Sequence, residues 1–135
     1  MFDTKIAIVL RDDLATWQKL NVAAFLTSGL VGANPGLIGE PYEDQAGNSY
    51  LPLAIQPMIV LTAGADGIAK IYRRALERGA RLSLYIEDMF ATGHDAANRA
   101  TVKLHAPETM PVVGLALRDD RKTVDRITKG ARMHA

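Results

Sequence analysis

Four side chains in this sequence have the types and placement for acyl-transfer chemistry: Lys19, Asp88, Thr92 and His94. Asp88 follows the alternating run Arg81–Ile86, where Leu82, Leu84 and Ile86 fall on one side and Ser83 and Tyr85 on the other, so it lies just past a strand. Open α/β sheets take their ligands at the C-terminal ends of strands. A carboxylate there can activate water, an ammonium such as that of Lys19 can stabilise a developing oxyanion, and the Thr92 hydroxyl can orient either. His94 adds an imidazole close by. Each residue also has an ordinary structural role open to it: Lys19 as a solvated first-turn lysine, Asp88 as a loop cap, His94 as a capping or surface histidine. Glu87 is no partner for Asp88, because adjacent strand residues point to opposite faces.

Other chemistries find little support. The chain has no cysteine, so thiolate chemistry and disulfides are excluded. His94, Asp95 and His105 match no metal-ligand spacing. Gly64-Ala-Asp-Gly67 is too short for a phosphate loop, and no nucleophile elbow is present. No cofactor or metal is therefore expected. Net charge is +1 and aromatic residues make up 6% of the chain, which gives neither a basic stripe nor stacking residues for nucleic acid. Charge is nevertheless uneven: residues 1–60 hold three basic against six acidic side chains, and the remainder thirteen against nine. Much of that basic excess lies in Lys70–Arg81 and Arg118–Arg132, a pattern expected of solvated helix faces.

These residues need a scaffold, and hydrophobic patterning supplies one. At 135 residues, with 48% hydrophobic and 23% charged side chains, the chain is sized for one domain with a real core. Lys5–Leu10 reads as a buried strand closed by Arg11-Asp-Asp13. A helix follows from near Trp17, capped by Asp12, Asp13 or Thr16. From Leu20 to Ala33 it is apolar on nearly every face, so it must be covered on two sides, by the sheet and by a second subunit. Residues 37–56 are mostly loop with a hairpin turning at Ala46-Gly47-Asn48. Met58–Thr62 is a second core strand. An amphipathic helix follows, capped by Asp66, carrying Ile68, Ile71, Tyr72, Ala75 and Leu76 and ending at Gly79. After the third strand comes an irregular stretch with a short helix near His94–Val102. Pro111–Leu117 is the fourth strand, and a last helix, capped by Asp119 or Asp120, carries Val124, Ile127 and Ala131 with an Asp125–Lys129 pair. The fold class expected is α/β: three layers, a mainly parallel or mixed four-stranded sheet, helices on both faces and a β-hairpin insertion.

Taken in order, these segments resemble the type II peptidyl-tRNA hydrolases. Lys5-Ile-Ala-Ile-Val-Leu-Arg-Asp-Asp-Leu14 is similar to that family's opening K-x-V-L-V-V-R-x-D-L strand. Asn21-Val-Ala-Ala24 and Gly32-Ala33 fall on its K-I-A-A and G-A. Arg81–Asp88 resembles its strand ending in Asp, and Val124–Met133 its I-D-K-V-T-G-x-L-K-L helix. The likeness covers roughly residues 4–34 and 57–133. It implies that Lys19 stands at the first of two functional lysines, with Asn21 at the second. Asp88 matches the family's acidic residue and Thr92 its threonine. Ser28 stands where the family has histidine, and Met89-Phe90-Ala91 replaces Ala-Gly-Arg. A small bacterial family of unknown function sharing that fold is also similar.

The sequence therefore implies a dimeric ligand-binding module or an enzyme of unknown substrate. The alternative is a hydrolase acting on peptidyl-tRNA or a related ester or amide. Its partners would be a small-molecule or tRNA-linked substrate and a second copy, docked through the helix near residues 20–33. No membrane span or signal segment is read, so the expected location is cytoplasmic.

Overall fold

β1 (Thr4–Arg11) carries the apolar run into the centre of the molecule, where Ile6 to Leu10 are all buried. The computed structural model describes residues 2–135. After β1 come α1 (Thr16–Ala33), a hairpin of β2 (Tyr42–Glu43) and β3 (Ser49–Tyr50), β4 (Met58–Ala63) and α2 (Ala65–Glu77). They are followed by β5 (Leu82–Ile86), α3 (Asp95–Lys103), β6 (Val112–Asp120), α4 (Arg121–Ile127) and β7 (Arg132–Met133). The main sheet has the order β5-β6-β1-β4-β7. β1 and β4 run parallel, while β6 is antiparallel to β1 and β5, and β7 to β4. The mixed sheet, with helices on both faces and a separate two-stranded hairpin, is of the α/β class expected.

Strand alternation divides the core. Ala7, Val9, Leu115 and Leu117 face α2 and α4, where Ile68, Ile71, Val124 and Ile127 complete the packing. Ile6, Ile8, Leu10, Tyr85 and Ala116 face α1, which contributes Val22, Leu26 and Leu30. Burying each of these three side chains stabilises the fold by roughly 1.5–3 kcal/mol. Two glycines set how closely α1 sits. A Cβ at Gly114 in β6 would stand 2.6 Å from Val22 Cγ1, and one at Gly29 in α1 would stand 2.6 Å from Ser83 Oγ. The Ser83 hydroxyl donates to the Leu26 carbonyl at 2.8 Å, tying β5 to the helix.

Several local expectations change. Ala15, not an acidic side chain or Thr16, precedes α1, and its N–H donates to the Gln18 side chain at 2.9 Å. Gly64 is the N-cap of α2, which leaves Asp66 inside the first turn, where it meets the positive helix end. Asp125 pairs with Lys5 at 2.6 Å rather than with Lys129. The last helix stops before Ala131, because Gly130 takes φ +98° and turns the chain back. Arg132 and Met133 then pair with β4, giving the sheet a short fifth strand. Asp120 caps α4 and Gly79 (φ +66°) closes α2, as the sequence suggested.

Candidate functional site

The strand ends gather at one edge of the sheet. Register places Tyr85, Gly114, Leu10 and Thr62 in one row across β5, β6, β1 and β4. Just beyond that row, Arg11 Nη1 meets Glu87 Oε2 at 3.2 Å, so the segments after β1 and β5 do touch. On the α1 side of β5 the surface is concave. α1 forms one wall, β5 the floor, and the 3-10 turn Glu87–Ala91 together with α3 the other wall.

Two adjoining cavities occupy this cleft, of about 600 and about 360 Å³, and they share Phe25, Tyr85, Met89, Asp95 and Asn98. The smaller is aromatic. Phe25 lies 6.0 Å from Tyr85, Tyr85 5.3 Å from Phe90, and Phe90 6.2 Å from Trp17, centroid to centroid. These tilted and edge-on arrangements are the favoured ones for aromatic rings. Trp17 and Phe25 are 63% and 56% exposed, so half of this apolar group faces solvent. Burial pushes the Tyr85 phenol above its ordinary pKa, against a hydrogen bond with Asn21. The larger cavity is cationic at its far end, bordered by Arg81, Arg99, Lys103 and Arg118. Arg99 is paired with Asp95. Among the described residues, Arg81 and Lys103 have no ionic partner. Arg118 is held only by neutral oxygens, Gln56 Oε1 at 3.2 Å and Asn34 Oδ1 at 3.4 Å. An elongated cleft with an apolar end and an underneutralised cationic end is suited to an amphiphilic anion.

The residues singled out from sequence divide between the cleft and other places. Thr92 and His94 border the aromatic cavity. The Thr92 hydroxyl is held between the Met89 carbonyl and the Asn98 side chain. His94 Nδ1 accepts from the Ala97 N–H at 3.2 Å and caps α3; a neutral ring accepting at Nδ1 carries its proton on Nε2. Lys19 and Asp88 border neither cavity. Lys19 Nζ lies 3.2 Å from His134 Nε2, on the β7 side of the sheet. The His134 N–H donates to the Val60 carbonyl at 3.1 Å. Asp88 Oδ2 instead takes His105 Nε2 at 3.1 Å, and this hydrogen bond holds the carboxyl below its ordinary value. The partners of Lys19 and Asp88 thus stand toward opposite edges, and the two do not meet in one pocket. Among the described residues no group of three or more His, Asp or Glu side chains gathers to hold a metal ion. None of the described helices is long and apolar enough to cross a membrane.

The aromatic group and the Asp88–His105 pair were not legible beforehand. Phe25, Tyr85 and Phe90 come from three elements, and single aromatic residues at that spacing signal only core. His105 lies 17 residues from Asp88 across an irregular stretch, where no periodicity links them.

A family model described as a protein of unknown function, DUF2000, matches residues 4–135. The chain is also similar to a solved protein of unknown function from Agrobacterium tumefaciens strain C58, at 61% identity and a TM-score of 0.99 over 100% of each chain. No curated protein matches the chain.

Proposed function

The chain belongs to the DUF2000 family of unknown function, and from that premise we propose that it is a binding protein for an amphiphilic anion held in the cleft between α1 and α3. The observation that carries this reading is the polarity of the two adjoining cavities of the cleft. Trp17, Phe25, Tyr85 and Phe90 stand at one end, and Arg81, Lys103 and Arg118, none with a carboxylate partner among the described residues, at the other. The apolar part of the ligand gains by leaving water, and the anion gains by neutralising charges already gathered. Trp17 is the only tryptophan of the chain, and it reports on the site directly. Titration with 1-anilinonaphthalene-8-sulfonate, an aromatic anion, should shift Trp17 emission to the blue and saturate. Arg81→Glu with Lys103→Glu should weaken binding by roughly 2- to 30-fold, the range of two part-exposed charge contacts. Saturable binding indifferent to both charge reversals would overturn the reading.

The chain is further proposed to be a homodimer through α1. Leu20, Ala24, Thr27 and Val31 recur at helical spacing away from the core positions Val22, Leu26 and Leu30; Leu20, 68% exposed, and Ala24 face solvent, and Thr27 and Val31 are half-buried. The cleft lies on another flank of the helix, so a second copy need not close it. Sedimentation equilibrium should give twice the 14.6 kDa chain mass and revert to one chain in Leu20→Glu. A wild-type monomer at high concentration would remove this part.

A hydrolase of peptidyl-tRNA or a related ester or amide is the second reading, favoured by the Asp88–His105 pair. A carboxylate oxygen only accepts, so His105 Nε2 carries the shared proton, and in a neutral ring Nδ1 is the atom able to take a proton from water. Turnover of peptidyl-tRNA that falls at least a hundredfold in both Asp88→Asn and His105→Ala would support it. Absent or unchanged turnover would dismiss it.

A further inference from the structure

The floor of the cleft is an open sheet edge. β5 pairs with β6 on one side, and on the other its backbone from Leu82 to Tyr85 has no hydrogen-bonded neighbour among the described residues. Side chains of neighbouring strand residues point to opposite faces. Ser83 and Tyr85 turn toward α1, while Leu82 and Leu84 pack on the α2 side. A cavity bordered by every residue from Arg81 to Tyr85 therefore reaches the backbone edge of β5 as well as its α1 face. In an antiparallel ladder every second residue exchanges both N–H and C=O with its neighbour, so alternate residues of β5 hold both groups outward. An edge of this kind accepts an added strand.

We infer that the occupant of the cleft is an extended acidic peptide, added antiparallel to β5 with its carboxyl end at Arg81 and Lys103. This inference rests on the cleft-binding reading above and names the class of ligand. Charge selects the class: the one carboxylate bordering the larger cavity, Asp95, is already paired with Arg99, and the remaining charges there are cations. It also selects the direction. β5 runs from the cationic end toward the aromatic end, so an antiparallel strand finishes among the cations, whereas a parallel one brings its ammonium group there. Arg81 and Tyr85 are four residues apart, about 13 Å at 3.3 Å per residue, so an apolar side chain four positions before the last residue falls at the aromatic end. The β5 strand of a second copy is a poorer fit, because it carries Arg81 and its following Glu87 is already held by Arg11.

The probe is a fluorescein-labelled peptide, Thr-Phe-Val-Thr-Val-Glu, with a free carboxyl end, followed by polarisation and by Trp17 emission. Two further versions carry N-methyl groups on alternate residues, one set for each register. Saturable binding that weakens at least about tenfold in one methylated version and hardly in the other is expected, since only one set of amides faces β5. Amidation of the carboxyl end, or Arg81→Glu with Lys103→Glu, should weaken the parent peptide several-fold. If both methylated versions bind like the parent, strand addition is overturned. If no peptide binds while the anilinonaphthalene sulfonate still does, the peptide class is overturned and the cleft reading stands. If neither binds, both fall together.

Discussion

Replacing Gly114 by alanine tests how α1 is seated, and with it the depth of the cleft. The added Cβ meets Val22 Cγ1 at 2.6 Å, Leu26 Cδ1 at 3.1 Å and Leu10 Cδ2 at 3.5 Å. Val22 is fully buried, and a valine in a helix keeps one strongly preferred χ1 rotamer, so its methyl group cannot swing aside cheaply. Relief requires α1 to lift from β6, or side chains to leave their rotamers, at a cost of ~1–3 kcal/mol. Gly114 does not have a positive φ, so alanine fits the backbone and offsets about 0.4–1 kcal/mol through the unfolded chain. The net loss is about 1.5 kcal/mol. With roughly 2.1 cal/mol/K of unfolding entropy per residue over 135 residues, Tm falls by about 5 °C. Val22→Ala alone removes two buried methyl groups' worth of packing and costs about 2 kcal/mol. In the double variant the new methyl enters the space that Val22 vacates, so the total stays near 2 kcal/mol instead of reaching about 3.5. Urea unfolding followed by far-UV circular dichroism, with m-values compared, measures all four corners of the cycle. A double variant whose loss equals the sum of the single losses within ~0.5 kcal/mol would show that the two sites are independent and that this contact does not hold the helix down.

Three further outcomes are expected. Ser83→Ala loses the bond to the Leu26 carbonyl and should cost about 1 kcal/mol in the same unfolding assay, and Gly29→Ala should be less harmful in that background, because the hydroxyl it meets is gone. Asp88 titrates below its ordinary 3.8 because of His105, so its contribution to stability is complete above pH 3.8 and is lost as pH falls through the lowered value. Carboxyl NMR of His105→Ala should find Asp88 back near its ordinary value, and an unmoved titration would show that His105 is not the cause. Asp44 is held at about 2 by Tyr50 Oη, the Asn48 side chain and backbone N–H groups, so its hold on the hairpin weakens only as pH falls from 3.8 toward 2. Asp44→Ala should release the hairpin and speed proteolysis within residues 42–50 at neutral pH while leaving global unfolding unchanged; equal cleavage rates would show that other contacts hold it.

Much of the fold was legible because its signals are local. The run Lys5–Leu10, the periodic positions Ile68, Ile71, Tyr72 and Ala75, and the alternation through Arg81–Ile86 each became the element their pattern implies. Boundaries were less legible where one backbone geometry overrides a pattern. Val124, Ile127 and Ala131 keep helical spacing, yet the turn at Gly130 sends Arg132 and Met133 into the sheet. The candidate site was legible only in part. Thr92 and His94 were placed near a strand end by proximity to Asp88, and they do border the cleft. Lys19 and Asp88 were expected beside them and border neither cavity, because whether a helical residue such as Lys19 faces one flank or another depends on how the helix lies on its sheet. Trp17, Asn21 and Phe25 turn to the cleft, and Lys19, between them in sequence, turns to His134.

The proposed ligand binding and association together would account for the missing polar face of α1. Three surfaces make separate demands on the helix. Val22, Leu26 and Leu30 fill the core. Trp17 and Phe25 border the cleft, and Leu20, Ala24 and Val31 form the outer stripe. A helix that only covered a sheet would carry charge on the other two surfaces. The one lysine in α1 is Lys19, near its start, and the helix has no acidic residue. The two outer surfaces can therefore be separated by experiment. A charge at Leu20 should break association and spare anion binding, while Phe25→Ala should weaken binding and spare association. If either change disturbs both properties, the two surfaces are one interface, and the cleft is closed by the second copy rather than open to a ligand.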